Sequence, residues 1–276
     1  MALFRALESL RPADSRLFTD PYAHLFLQGY RRWLYGVARI PGGRWTAEKL
    51  LDRSIPGARA GGIARTKWID DEASEALATA TQLVLLGAGF DTRAHRLAAA
   101  RRVKVFELDH PETSLVKQAL LADVASERVR YVVIDFNRQS IAEVLNRAGF
   151  DHSQPACFIW EGVTNYLAPE AIDSVLRQVR QTANGNVLLF TYVDRAVLEE
   201  PERFYKARQL LARVNSYGEP WTFGFNPGDL AAYLAERGFK LMKDSGVAEV
   251  WQATGRSPAA TRGYEFYRVA HTRVHC

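Results

Sequence analysis

The hydrophobic pattern changes character near residue 83. From there to residue 192, apolar runs alternate with amphipathic stretches. The runs at 83–87, 103–108, 129–134, 156–160 and 186–192 are short and rich in Val, Leu, Ile and Phe. They predict strands of a parallel sheet covered on both faces. Helical spacing falls between them, near 93–100, 111–124, 139–148 and 169–182. Such alternation builds βαβ units with right-handed crossovers.

Outside this stretch the rhythm differs. The first 60 or so residues read as helical and irregular. Leu3, Leu7 and Leu10 share a helical stripe. Asp20-Pro21 reads as an N-cap and first-turn proline that open a helix through His24, Leu25 and Phe26. Gly42-Gly43 and Pro56-Gly57 mark loops, and a further helix is predicted over Arg65 to Thr79. Beyond Tyr192, residues 195–222 read as a helical insertion. Asn226-Pro227 then caps a helix ending at Gly238, and short strands are predicted near 239–244 and 264–274, with another near 247–253. The sum is an α/β chain: a helical N-terminal cap, a doubly wound sheet, and a late excursion over the sheet's carboxyl edge.

Composition narrows the classes. The 276 residues are 47% hydrophobic and 24% charged, as in a soluble globular protein. No stretch approaches the roughly 18 apolar residues of a membrane span. Residues 1–8 carry an acid and no cleavage-site pattern, so a cytoplasmic location is expected. Cys157 and Cys276 lack metal-ligand spacing; neither a metal site nor a disulfide framework is expected. The net charge of +5 comes from scattered basic residues, which read as a solvated mixed surface rather than a nucleic-acid face.

The chemistry starts at "LLGAGFDT", residues 85–92, where an apolar strand enters a glycine turn. Ligands of open parallel sheets sit outside the strands' carboxyl ends, and Gly87 and Gly89 permit close backbone approach. The sixth position of the turn is Thr92, not the third glycine of a dinucleotide fingerprint, and a P-loop lysine is missing. A nucleoside without pyrophosphate suits the turn better, with S-adenosylmethionine the candidate. Strand two ends in Glu107 and Asp109. An acid at that distance past the first glycine grips a ribose, and Asp109 is nearer the tip. Strand three ends in Asp135 and Phe136, an acid for an adenine amino group beside a ring cover. Strand four ends in Glu161, placed to compensate a bound cation. Tyr166 follows and can face a sulfonium or line a substrate pocket.

The motifs "LLGAGFDTRAHRL", "VFELDHPETSLVKQ" and "FIWEGVTNYLAPEAI" resemble the bacterial branch of the leucine carboxyl methyltransferase family, as do "ARTKWIDD" and "LFTDPYAHLF" upstream. The resemblance implies a Rossmann-like class I methyltransferase fold, with a mostly parallel seven-stranded sheet and helices on both faces. It implies one domain, divided as a cap over 1–80, a cofactor-binding core over 81–194, a lid insertion over 195–226, and a C-terminal helix with antiparallel strands over 227–276. S-adenosylmethionine is the implied cofactor. Arg65 matches the arginine that clamps the methionyl carboxylate; Gly87 and Gly89 carry the turn; Asp109, Asp135, Phe136 and Glu161 match the ribose, adenine and amino-group contacts. Asn137 stands where phosphatase-methylating members carry an arginine for a substrate carboxylate. The resemblance thus leans toward a small-molecule acceptor such as a polyketide, methylated at a carboxylate or hydroxyl. Methylation of a protein C-terminus, of nitrogen or sulfur, and a non-catalytic cofactor-binding module are the alternatives. A phenol or alcohol acceptor needs a proton acceptor, for which His24, His152 and Tyr192 are candidates. Aromatic residues of the two lid regions, Tyr22, Tyr217 and Trp221 among them, are expected to line the acceptor pocket with Tyr166.

Overall fold

The computed structural model describes residues 1–124, 126–136, 138–182 and 185–275. Its centre is a seven-stranded sheet: β1 (Gln82–Leu86), β2 (Lys104–Asp109), β3 (Val129–Val133), β4 (Ala156–Trp160), β5 (Val187–Val193), β6 (Phe239–Gly246) and β7 (Tyr267–Val274). The order is β3-β2-β1-β4-β5-β7-β6. The first five strands run parallel, and β7 lies antiparallel between β5 and β6. The order reverses between β1 and β4, so the switch point lies beside the glycine turn that follows β1.

Successive side chains of a strand face opposite sides, and the chain buries both. Val84, Leu86, Phe106 and Leu108 point into a core shared with α7 (Ile141–Arg147), α8 (Pro169–Thr182) and α11 (Leu230–Glu236). Leu83, Leu85 and Val105 point the other way, toward α4 (Ala58–Ala76) and the short α5 (Arg93–Arg96). A third cluster joins α4 to the end of β5 and to α12 (Val247–Ala253) through Ile63, Val193 and Trp251. The cap has a core of its own: Leu3 and Leu7 of α1 (Ala2–Ser9), Leu34 of α2 (Gly29–Ala38) and Ala47 of α3 (Gly43–Ser54). The remaining helices are α6 (Pro111–Leu120) between β2 and β3, and α9 (Ala196–Glu199) and α10 (Ala207–Ser216) in the insertion. No helix among the described residues is long and apolar enough to cross a membrane.

The strand expected near 247–253 is the helix α12. Val247, Val250 and Trp251 read as strand-forming, but the Glu249 carboxylate turns back to accept from the Gly246 N–H at 2.9 Å. That one-sided cap, from Glu249 alone, starts a helix, and Val247 and Trp251 then bury one turn apart. The helix expected over 93–100 ends at Arg96, where Leu97 becomes extended and a 3₁₀ turn takes over at Ala99–Arg102.

Not all of the basic residues belong to the solvated mixed surface. Arg5, Arg59, Arg65 and Arg93 are buried. So is Lys117 of α6, whose Nζ lies 2.7 Å from Glu107 of β2, each side chain only 2% exposed. Burial nevertheless dominates at Glu107 and pushes its carboxyl up to about 7. A carboxyl whose native value exceeds its unfolded one stabilises the fold below the unfolded value, and that contribution is lost as pH rises through the native one. Glu107→Gln keeps the shape without the titration. Wild type is therefore expected to lose about 3 kcal/mol relative to Glu107→Gln between pH 4.5 and pH 8. Urea unfolding of both proteins across that range checks it; a constant difference would show that Glu107 does not titrate there.

Candidate functional site

Where β1 ends, the chain must turn sharply without losing its backbone partners. Gly87 and Gly89 take positive φ values of 65° and 46°, which side chains rarely adopt. The Gly87 and Ala88 N–H groups both donate to the Leu108 carbonyl, at 2.9 and 3.1 Å, fastening the turn to β2. The Gly89 N–H donates to Asp109 Oδ2. The other Asp109 oxygen accepts from the His110 N–H at 2.7 Å. The acid at the tip of β2 thus sits half-buried against the turn, while Glu107 is taken inward by Lys117.

Beyond the turn lies a buried ionic cluster that the linear sequence does not announce. Arg93, 2% exposed, places Nη1 2.6 Å from Asp91 and 2.5 Å from Glu161, and Nε 2.7 Å from Asp70 of α4. Arg96 grips the same Asp70 with both terminal nitrogens, at 2.6 and 2.9 Å. Arg65 of α4 approaches the other face of Glu161, Nε to Oε1 at 2.7 Å, and its guanidinium stacks over the Tyr267 ring at 4.8 Å. Arg65, Arg93 and Arg96 balance Asp70, Asp91 and Glu161 in charge. The flanking guanidiniums outweigh desolvation and hold the Glu161 carboxyl down at about 2. Asp91 is held well below the ordinary carboxylate range, chiefly by Arg93 against the cost of burial.

The cap is bolted to this cluster through Asp20. Its Oδ1 accepts from the Tyr22 and Ala23 N–H groups at 3.1 and 3.0 Å, opening the expected helix as a short 3₁₀ turn, Ala23–Phe26. Its Oδ2 accepts from Arg5 Nε at 2.7 Å and from Thr92 Oγ1 at 2.6 Å. Thr92 is the residue that stands where a dinucleotide fingerprint has glycine. Here its hydroxyl, fully buried, joins the turn to the cap.

The other sequence candidates separate. Asp135 lies just past the end of β3 with Arg138 3.5 Å away, and Phe136 beside it is 42% exposed. Asn137 lies outside the described residues, as does Cys276. Tyr166, in the 3₁₀ turn after β4, lines a cavity of about 500 Å³ with Gly162, Glu219 and Thr222. Tyr217 and Trp221 flank that cavity in sequence but do not line it. Tyr217 is 73% exposed, and Trp221 packs edge-on against Phe266 and Tyr267. Tyr22 is elsewhere: it meets His95 edge-on at 6.3 Å, on the wall of a separate cavity of about 320 Å³.

The three proton-acceptor candidates have different surroundings. Tyr192 is fully buried, and its hydroxyl lies 2.9 Å from both Asp244 oxygens and 3.0 Å from Arg268 Nε. Burial, with Asp244 beside it, pushes that phenol far above its ordinary range. His152 precedes β4, at the amino-terminal edge of the sheet, and its Nδ1 lies 3.0 Å from the Thr182 carbonyl. His24 is exposed and stacks on Tyr35 at 5.7 Å. Cys157 is buried in β4, and burial pushes its thiol up to about 12, so it is inert.

The residues present fit S-adenosylmethionine. A Cβ on Gly89 would meet nothing nearer than the Gly87 carbonyl oxygen at 3.9 Å, so open space faces the turn. A Cβ on Gly162 would meet only Arg65 Nη2, at 3.8 Å. Between these openings stand Asp109, an acceptor for hydroxyls, and a charge-balanced cluster that can receive the zwitterionic amino-acid end without gaining net charge.

The comparisons agree. The model of the leucine carboxyl methyltransferase family matches residues 1–180. A Mycobacterium avium (strain 104) protein, named a candidate S-adenosyl-L-methionine-dependent methyltransferase, is 30% identical over 261 residues, covering 84% of this chain and 79% of that one. A similarly named Mycobacterium tuberculosis H37Ra protein is 31% identical over 277 residues, covering 94% and 77%. The crystal structure of a DUF574 family protein from Streptomyces avermitilis shares the fold, with a TM-score of 0.61 at 12% identity over 97% of this chain and 99% of that one. Fold and site define a Rossmann-like methyltransferase. The chain belongs to the leucine carboxyl methyltransferase family and is an S-adenosylmethionine-dependent methyltransferase.

Proposed function

We propose that this chain methylates an oxygen of a small-molecule acceptor held in the cavity beside Gly162. The observation that carries the reading is adjacency: the cavity opens at Gly162, the residue after Glu161, on the rim of the ionic cluster. In this reading Asp109 takes the ribose hydroxyls, and Asp135 and Phe136 flank the adenine. Arg65 takes the methionyl carboxylate as a guanidinium fork, and Glu161 faces the amino group. Bound S-adenosylmethionine supplies an electrophilic methyl group on sulfur. The chain's own contribution is orientation and exclusion of water: loop 218–222 lines the cavity, fastened to the 3₁₀ turn after β4 by the Thr222 N–H on the Asn165 carbonyl at 2.8 Å.

Two measurements test this reading. Calorimetric titration with S-adenosylhomocysteine is expected to give a dissociation constant below about 100 µM. Mass spectrometry after incubation with S-adenosylmethionine and a panel of small phenols, alcohols, carboxylic acids and amines is expected to show methylated oxygen. Binding without any product across the panel would favour a non-catalytic module, and product confined to amines would replace oxygen by nitrogen.

A further inference from the structure

The cavity beside Gly162 has a lining that bears on which oxygen it accepts. It is formed by Gly162, Tyr166, Gly218, Glu219, Pro220 and Thr222. Glu219 is the only charged residue of that lining among the described residues, and it is an acid. No cation among the described residues lines the cavity. Arg65 lies within reach of Gly162 but is paired with Glu161, and one guanidinium cannot also neutralise a second carboxylate beyond the cofactor's own. A carboxylate acceptor would therefore enter beside the Glu219 carboxylate, with no cation in the lining among the described residues to offset the repulsion. A hydroxyl acceptor would meet the opposite situation. Its O–H can donate to Glu219, while Tyr166 and Pro220 offer the apolar faces that a ring or chain needs.

We propose that Glu219 is a specificity-determining residue, which selects an acceptor hydroxyl and turns carboxylate acceptors away. The inference rests on the reading of this cavity as the acceptor site. It departs from the carboxyl chemistry in the family's name, and its origin is local: the turn that carries Glu219 follows α10, with the Glu219 N–H donating back to the Val214 carbonyl at 3.2 Å. That bond sets the acid at the cavity wall rather than leaving it on a free strand of loop.

The test uses a matched pair of probes, 2-naphthol and 2-naphthoate, titrated calorimetrically into the full-length protein saturated with S-adenosylhomocysteine. Wild type is expected to bind 2-naphthol at least about tenfold more tightly than 2-naphthoate. Glu219→Gln, a change on an exposed loop, is expected to leave the S-adenosylhomocysteine affinity unchanged and to bring the two probes within about threefold, by tightening 2-naphthoate. Glu219→Arg is expected to reverse the order. Wild type that binds 2-naphthoate as tightly as 2-naphthol overturns the proposal. So does a ratio that Glu219→Gln leaves untouched, or failure of both probes while S-adenosylhomocysteine binds. Failure to bind S-adenosylhomocysteine itself would instead remove the methyltransferase site reading, and the inference with it.

Discussion

Asp109→Ala is expected to weaken S-adenosylhomocysteine binding by about 100-fold while shifting the melting temperature by only a few degrees. The asymmetry follows from what the carboxylate does in each state. In the folded protein Asp109 accepts from the N–H groups of Gly89 and His110 and is half-buried at the strand tip. Losing those bonds exposes two N–H groups to water that can reach them, a cost of about 1 kcal/mol. In the proposed complex the same carboxylate also receives the ribose hydroxyls. Hydrogen bonds to a charged acceptor are worth roughly 1.5–3 kcal/mol each in a site closed to solvent. Two hydroxyls sharing one acid, with some of the geometry lost to the relaxed turn, give about 3 kcal/mol. Asp109→Asn keeps an acceptor oxygen without the charge and is expected to lose about tenfold. Calorimetric titration of the three proteins, with thermal melts of each, separates the two effects. An alanine variant that binds within threefold of wild type would place the ribose elsewhere.

The strands and the glycine turn were legible because they obey local rules. A run such as Leu83 to Leu86 has no other stable place than between two layers, and each of the five parallel strands begins and ends within a residue or two of its apolar run. The carboxyl tips were legible for the same reason: once the strands are parallel, Asp109, Asp135 and Glu161 end at one edge. Helix α4 was read too short. Gly61-Gly62 looks like a breaker, yet the helix runs through it from Ala58. The missing side chains admit close neighbours: a Cβ on Gly61 would lie 2.5 Å from the Tyr264 ring, and one on Gly62 2.7 Å from the Met1 Cε. Such a reason is tertiary and leaves no local trace. The ionic cluster was illegible for a deeper reason. In a sequence, Asp70, Asp91, Arg93 and Arg96 look like ordinary surface charges, because charged residues are rarely buried. Only the fold brings α4, the turn and the tip of β4 together. The one local hint lay in Thr92, whose departure from the dinucleotide pattern marks the place where the turn is tied to Asp20 rather than packed as bare backbone.

The cluster also carries the largest expected effect on stability. Arg93→Met keeps an unbranched side chain of about the length of the arginine stem and removes the charge that three carboxylates share. Arg96 still holds Asp70, and Arg65 still holds one face of Glu161, but Asp91 loses its partner in a buried setting. Removing one member of a buried pair costs about 3–5 kcal/mol, because the remaining charge stays desolvated. For a chain of this length that corresponds to a fall in melting temperature of roughly 10 °C at neutral pH. The effect must depend on pH. In wild type, Glu161 and Asp91 are held below their unfolded values, so their contribution is present above about 4.5 and lost as pH falls toward the native values. The variant lacks most of that contribution at any pH. The gap between the two proteins is therefore expected to be widest near pH 7, to begin narrowing below about pH 4 and to close only as pH approaches the native value of Glu161, about 2. Arg93→Lys restores one charge without the fork and is expected to recover less than half of the loss. Thermal unfolding of the three proteins at pH 7.5, 5 and 2.5 decides it. A loss at pH 7.5 below about 1 kcal/mol, or one that does not change with pH, would mean that the guanidinium is only filling space.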